Sequence, residues 1–172
     1  MYERGDYEDA KYFAEQGRSI GEELEEDASS LGRSDVPDLL SKVYYTLGAV
    51  AQITHQKGES LKLHAKMLVH RKNLKSELRD GDALLAHAYN EMGNDFMADD
   101  EHEIALGFYH TSIKIYKNLG EKFKPSMLVL PKVNLGLAYW LQDEHEKAYS
   151  VVSDALQEQE QELGPDDGIT MK

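Results

Sequence analysis

Apolar side chains recur along this chain at every third or fourth position, the spacing that gathers them on one face of an α-helix. No stretch alternates as a half-buried strand would. The first stripe, Ala10, Phe13, Ala14 and Leu24, predicts a helix from about Asp6 to Ala28. A polar, glycine-containing stretch from Ser29 to Asp35 reads as a linker. Pro37 suits the first turn of the next helix, where a backbone donor has no partner to lose, with Asp35 or Val36 at its start. Leu40, Val43, Tyr44, Leu47 and Ala51 form the apolar face of this helix, which runs to about Thr54. Gly58 breaks the pattern, and a third helix is predicted from about Glu59 to Glu77. Asp80-Gly81-Asp82 reads as a turn whose last residue starts a helix. That helix reaches Ala98, and others are predicted over Glu101 to Asn118, Ser126 to Gln142 and Glu144 to Leu163. Gly120 and Gly164 stand where helix C-caps are expected, and Pro125 and Pro165 mark breaks. The pattern is all-α, seven helices joined by short turns.

Within this pattern lies a repeat. Met92-Gly93-Asn94-Asp95-Phe96 is followed by Asp100-Glu101-His102-Glu103-Ile104-Ala105-Leu106. Leu135-Gly136-Leu137-Ala138-Tyr139 is followed by Asp143-Glu144-His145-Glu146-Lys147-Ala148-Tyr149. Gly93 and Gly136 are 43 residues apart, as are Ala105 and Ala148, and a shared shift of this kind marks a repeat architecture. A weaker copy has Leu47-Gly48, with Ala51 in the aromatic slot and Ser60 in the small one; Gly5, Tyr7 and Ala10 open the chain as a half-copy. Glycine inside a helix costs about 1 kcal/mol against alanine, so its recurrence needs a packing reason. Close crossing of two helices supplies it: glycine on one helix and alanine on the other let the backbones approach, and the aromatic fills the wedge.

These residues resemble the tetratricopeptide repeat (TPR). In its best copy the pattern reads Tyr89, Met92-Gly93, Phe96, His102, Ala105, Tyr109 and Ser112; in the last it reads Leu135-Gly136, Tyr139, His145, Ala148, Val152 and Ala155. Lys132 departs from the pattern in the first aromatic slot, His102 and His145 stand in the tyrosine slot, and His64 takes an aromatic slot. The period exceeds the usual ~34 residues and is similar to the long repeats of kinesin light chain and its relatives, as is the ending Leu163-Gly164-Pro165-Asp166-Asp167 with Thr170. The resemblance implies a right-handed α-solenoid of antiparallel helix hairpins, about three full repeats plus a half repeat. It implies one domain over 1–172: the second helix of a partial repeat (1–28), repeats at 37–78, 81–122 and 125–164, and a tail (165–172). On this reading the chain begins mid-repeat and belongs to a longer array, or its amphipathic terminal helix caps itself.

In a TPR array the first helix of each hairpin lines a concave groove, so the resemblance also implies binding positions. Offsets from the three glycines give Lys42, Tyr45, Thr46, Ala49 and Gln52; then His87, Asn90, Glu91, Asn94 and Met97; then Leu130, Val133, Asn134, Leu137 and Trp140. Asn90, Asn94 and Asn134 stand out as exposed amides, because an amide can pair with both donor and acceptor of an extended peptide. Lys42 alone matches the basic residues with which some TPR domains grip a C-terminal carboxylate. The site so implied is Lys42, Tyr45, Gln52, His87, Asn90, Asn94, Met97, Asn134, Leu137 and Trp140.

Composition narrows the function. At 172 residues the chain is long enough for one continuous core. It has no cysteine, hence no disulfide, thiolate nucleophile or Cys-based zinc site, which fits a cytoplasmic protein. No apolar run approaches the ~20 residues needed to span a bilayer, and Met1-Tyr2-Glu3-Arg4-Gly5-Asp6 is no secretory signal. A net charge of −13 repels phosphate backbones. The basic run from Lys62 to Lys75 is interleaved with Leu63, Met67, Leu68 and Leu74, as on the outer face of an amphipathic helix.

Asp99-Asp100-Glu101-His102-Glu103 has the look of an acidic magnesium cluster in an all-α lyase, the enzymatic alternative. Its position between the two helices of a repeat, duplicated at Asp143–Glu146, favours helix-start chemistry instead. None of the seven histidines falls in a His-Glu-x-x-His motif, and no phosphate-cradling glycine loop or Gly-x-Ser-x-Gly is present. The expectation is a non-enzymatic interaction scaffold without cofactor or metal. It would bind a peptide or helix, carrying basic residues, of another protein or of its own parent chain, with neither nucleic acid nor membrane as partner. A structural module self-associating through its repeat ends is the other alternative.

Overall fold

Each apolar stripe becomes a helix in the computed structural model, which describes residues 4–31, 35–74 and 81–163. The α-helices are α1 (Arg4–Leu31), α2 (Val36–Ile53), α3 (Lys57–Asn73), α4 (Gly81–Ala98), α5 (His102–Lys117), α6 (Val129–Trp140) and α7 (His145–Leu163). Two short 3-10 turns, Gly120–Lys122 and Pro125–Leu128, join α5 to α6. No strand occurs among the described residues.

Several boundaries differ from the sequence expectation. Helix α1 continues through Leu31, into the expected linker. Gly58 does not break the chain but lies in the first turn of α3, where nothing within 4 Å would meet a Cβ. Helix α3 ends at Asn73, because Leu74 is extended (ψ 131°). Gly120 is not the cap of α5, a place taken by Asn118; with φ 61° it opens the following 3-10 turn. The expected start at Ser126 is a 3-10 turn led by Pro125. Pro131 then falls in the first turn of α6, where its missing donor has no intrahelical acceptor to lose. Linker residues 32–34, the helix end at Glu77, the turn at Asp80, Gly164, Pro165 and the 165–172 tail lie outside the described residues.

The true breaks are left-handed residues. His55, Asp100 and Asp143 have φ of 59°, 61° and 62°, each seven positions after a repeat glycine. Behind each, the chain closes a 6→1 bond: Gln56 N–H to Ala51 C=O at 2.8 Å, Glu101 to Phe96 at 2.9 Å and Glu144 to Tyr139 at 3.0 Å. The left-handed residues themselves donate three positions back, to Gln52, Met97 and Trp140. This is the Schellman C-cap, and its recurrence turns each first helix back on its neighbour in the same way.

The chain divides into two compact units, Met1–Ala88 and Tyr89–Lys172, with the boundary inside α4. In the first unit, α2 packs on α1 and α3 around Leu40, Val43, Tyr44, Leu47, Leu63 and Met67. A Cβ on Gly48 would overlap the His64 ring, so the glycine is what admits that buried imidazole between α2 and α3. Polar ties supplement the core. Tyr44 Oη donates to Glu22 at 2.6 Å, and the buried Arg71 guanidinium reaches Asp38 at 3.0 Å.

In the second unit Ala105, Tyr109, Leu135 and Ala138 form the buried centre. A Cβ on Gly93 would stand 2.5 Å from Tyr109 Cε1, and one on Gly136 2.5 Å from Val152 Cγ2. The small slots Ser60, Ala105 and Ala148 are all buried. Lys132, in an aromatic slot, is also buried: its Nζ lies 2.7 Å from Glu158 Oε2, an ion pair tying α6 to α7.

Candidate interaction surface

The expected binding positions fall on both units, and their exposure divides them. In the first, Lys42 is exposed and pairs with Asp38 at 2.7 Å one turn back. Tyr45 is 36% exposed, its ring 5.0 Å from that of His87 and 6.4 Å from that of His64. Gln52 and His87 are half-buried.

In the second unit the asparagines turn inward. Asn90 is only 1% exposed, and Asn94 and Asn134 are half-buried. Asn134 Nδ2 donates to Asn90 Oδ1 at 3.1 Å and to Asn94 Oδ1 at 3.0 Å, linking α6 to α4. Tyr109 Oη donates to the same Asn94 oxygen at 2.9 Å, and both α4 amides donate to Glu91 at 3.3 Å. Burial, aided by the Glu91 and Asp95 carboxylates, pushes the Tyr109 phenol well above its usual range and keeps it a donor. The expectation of exposed amides is corrected by this geometry. The same two-sided chemistry that would grip a peptide serves first to clasp three helices. Met97 is half-buried and packs against the unit's core.

What α6 does leave open is apolar. Leu130, Val133, Leu137 and Trp140 are between 43% and 57% exposed. On α7, Tyr149, Val152 and Leu156 are between 41% and 78% exposed. A trough of about 360 Å³ lies between Val133, Leu137 and Trp140 on α6 and Tyr149 and Val152 on α7, with Gly136 and Ala148 also lining it. Beside it His145 packs on Trp140, ring centroids 4.3 Å apart; the two histidines of the tyrosine slot differ, His145 being exposed and His102 half-buried. The sequence carried a signal for this face. Helix α6 is apolar nearly all round, and such a helix needs a second neighbour or leaves an open face.

The acidic turns are built for the backbone. Asp100 and Asp143 occupy the left-handed cap, each 3.9 Å from the ring nitrogen of the histidine two residues on. Among the described residues no three His, Asp or Glu side chains converge as a metal site would require.

Helical hairpins closed by a shared cap, with a glycine and a small buried residue at each crossing, define an all-α protein of TPR-like repeats. The crystal structure of BtubC (BKLC) from P. vanneervenii is similar to 95% of this chain with a TM-score of 0.71 at 17% identity. The crystal structure of MamA is similar to 86% of it, and to 79% of MamA, with a TM-score of 0.54 at 19% identity. The chain spans 61% of the length of the BtubC structure. No family profile and no curated protein matches the sequence. No helix among the described residues is long and apolar enough to cross a membrane.

Proposed function

We propose that this protein is a non-catalytic, cytoplasmic interaction scaffold whose first-helix surfaces hold a peptide or helical segment of another protein. The observation that carries this reading is the exposed pair Leu137 and Trp140 at groove positions of a TPR-like first helix. Large apolar and aromatic side chains held open on a rigid element are the usual anchors of protein recognition. Each unit contributes its own stretch of surface. Lys42, Tyr45, Gln52 and His87 offer a mixed polar and aromatic patch on the first. On the second, Leu137 and Trp140 flank the asparagine clasp, whose remaining hydrogen-bonding capacity supplies polar contacts. The net charge of −13 favours a segment bearing Lys or Arg, with association slowing as salt rises. A cysteine-free sequence accords with a reducing compartment.

Calorimetric titration of the purified partner tests the reading. Trp140→Ala and Tyr45→Ala should each weaken binding by about tenfold or more, as hot-spot residues do, with unfolding midpoints near wild type because both side chains are open. Unchanged affinity for both variants would move binding off the first helices.

A further inference from the structure

Helices α6 and α7 present a joint apolar face that no other helix among the described residues covers: Val133, Leu137, Trp140, Tyr149, Val152 and Leu156. The shape of this face is specific. Two antiparallel helices flank a trough also lined by Gly136 and Ala148, so that a third helix could lay side chains between their ridges. On α7, 149, 152 and 156 follow the three-and-four spacing that complements an apolar helical stripe.

Charge selects the occupant. Between Val129 and Leu163 there are seven acidic residues against two lysines. Both lysines are already held, Lys132 by Glu158 and Lys147 by Glu144. Asp143, Glu146 and Glu160 stand exposed at the ends of the face. A second copy of the chain is a poor match: its basic helix α3 keeps its apolar residues Leu63 and Met67 in its own core and leaves only Val69 exposed among the large ones, so it has no free stripe to dock. Another exposed apolar surface, Tyr12, Phe13 and Ile20 on α1, belongs to a helix with nine acidic against three basic residues. Docking that helix here would set like charges together at a cost in affinity and association rate.

We propose that the α6–α7 trough is a docking site for one amphipathic helix of another protein, its apolar stripe flanked by Lys or Arg. The proposal rests on the scaffold reading and narrows it to a helical, basic ligand on the α7 side. Trp140 is the chain's single tryptophan and lies in the trough, so its emission reports occupancy directly. The probes are three synthetic peptides: a helix with a leucine stripe between lysines, the same stripe between glutamates, and a scrambled lysine peptide of equal composition.

The full chain should bind the first peptide with a blue shift of Trp140 emission, and the other two at least about tenfold more weakly. Added salt should weaken the first complex. Tyr149→Glu should reduce affinity by about tenfold, and so should Leu156→Glu, both at exposed positions that circular dichroism will report as folded. Equal binding of the scrambled peptide would overturn the proposal, since charge alone would then suffice; so would undiminished binding by both variants. Sedimentation that finds a wild-type dimer, dissociated by Tyr149→Glu, would also overturn it and assign the face to a second copy. If Tyr45→Ala blocks a natural partner while Tyr149→Glu does not, the scaffold reading stands and this proposal alone falls.

Discussion

Three residues set the hairpins by adopting a backbone conformation that side chains ordinarily resist. A left-handed residue costs an L-amino acid roughly 1–2 kcal/mol, less for Asp or Asn, whose short polar side chains bond locally. Asp100 and Asp143 occupy that position in two hairpins, and His55 in the third. The cost is repaid by the two carbonyls of the last helical turn that each cap satisfies. A branched side chain cannot use the local bonding. Asp100→Val should therefore lower stability by about 1–2 kcal/mol, while Asp100→Gly should hold or raise it. Urea unfolding of the two variants checks this, and a valine protein as stable as wild type would mean that the turn is not left-handed. The acid cluster that suggested metal chemistry thus has a backbone explanation.

At the scale of the helices, stability rests on how closely each pair can approach. The ring of Tyr109 lies where a Cβ on Gly93 would be, and Val152 where one on Gly136 would be. Gly93→Leu and Gly136→Leu should each cost about 1–3 kcal/mol by overpacking. Gly58→Ala, in open space at the start of α3, should instead gain up to about 1 kcal/mol. The asparagine clasp adds a second tie. Asn134→Ala removes both hydrogen bonds from α6 to α4 and leaves the buried Asn90 oxygen without that donor, for an expected loss of about 1–3 kcal/mol. Denaturation midpoints of these four variants measure the crossings and the clasp separately. Equal midpoints for Gly93→Leu and Gly58→Ala would contradict the packing described.

Over the whole chain the governing quantity is charge. Thirty-two acidic residues against nineteen basic ones leave a self-repulsion that opposes any compact state. Screening shortens its reach to about 10 Å at ~0.1 M salt. The folded chain should therefore gain stability as salt rises from low to near-physiological strength, read as a rising urea midpoint. A falling midpoint would mean that the ion pairs Arg71–Asp38 and Lys132–Glu158 outweigh the net repulsion. On the proposed function the same field favours a partner segment bearing Lys or Arg.

The sequence by itself determined the helices and the slots where they cross, because both are matters of short-range spacing. A three-to-four-residue stripe makes a helix, and glycine, alanine and an aromatic at fixed offsets make a crossing. It did not determine the helix ends at Gly58, which lies inside α3, or at Gly120, which is left-handed but opens a 3-10 turn; the bends within the hairpins are at His55, Asp100 and Asp143. Only the tertiary structure decided which polar residues turn inward. Asn90 and Asn134 are 44 residues apart, and Lys132 and Glu158 26 apart, so neither pairing follows from local pattern. It also decided which apolar residues stay open. On α6, apolar nearly all round, Leu135 and Ala138 are buried while Leu137 and Trp140 are not. A helix with two apolar faces covers whichever meets a neighbour, and the neighbours are set by the chain's return, not by the helix.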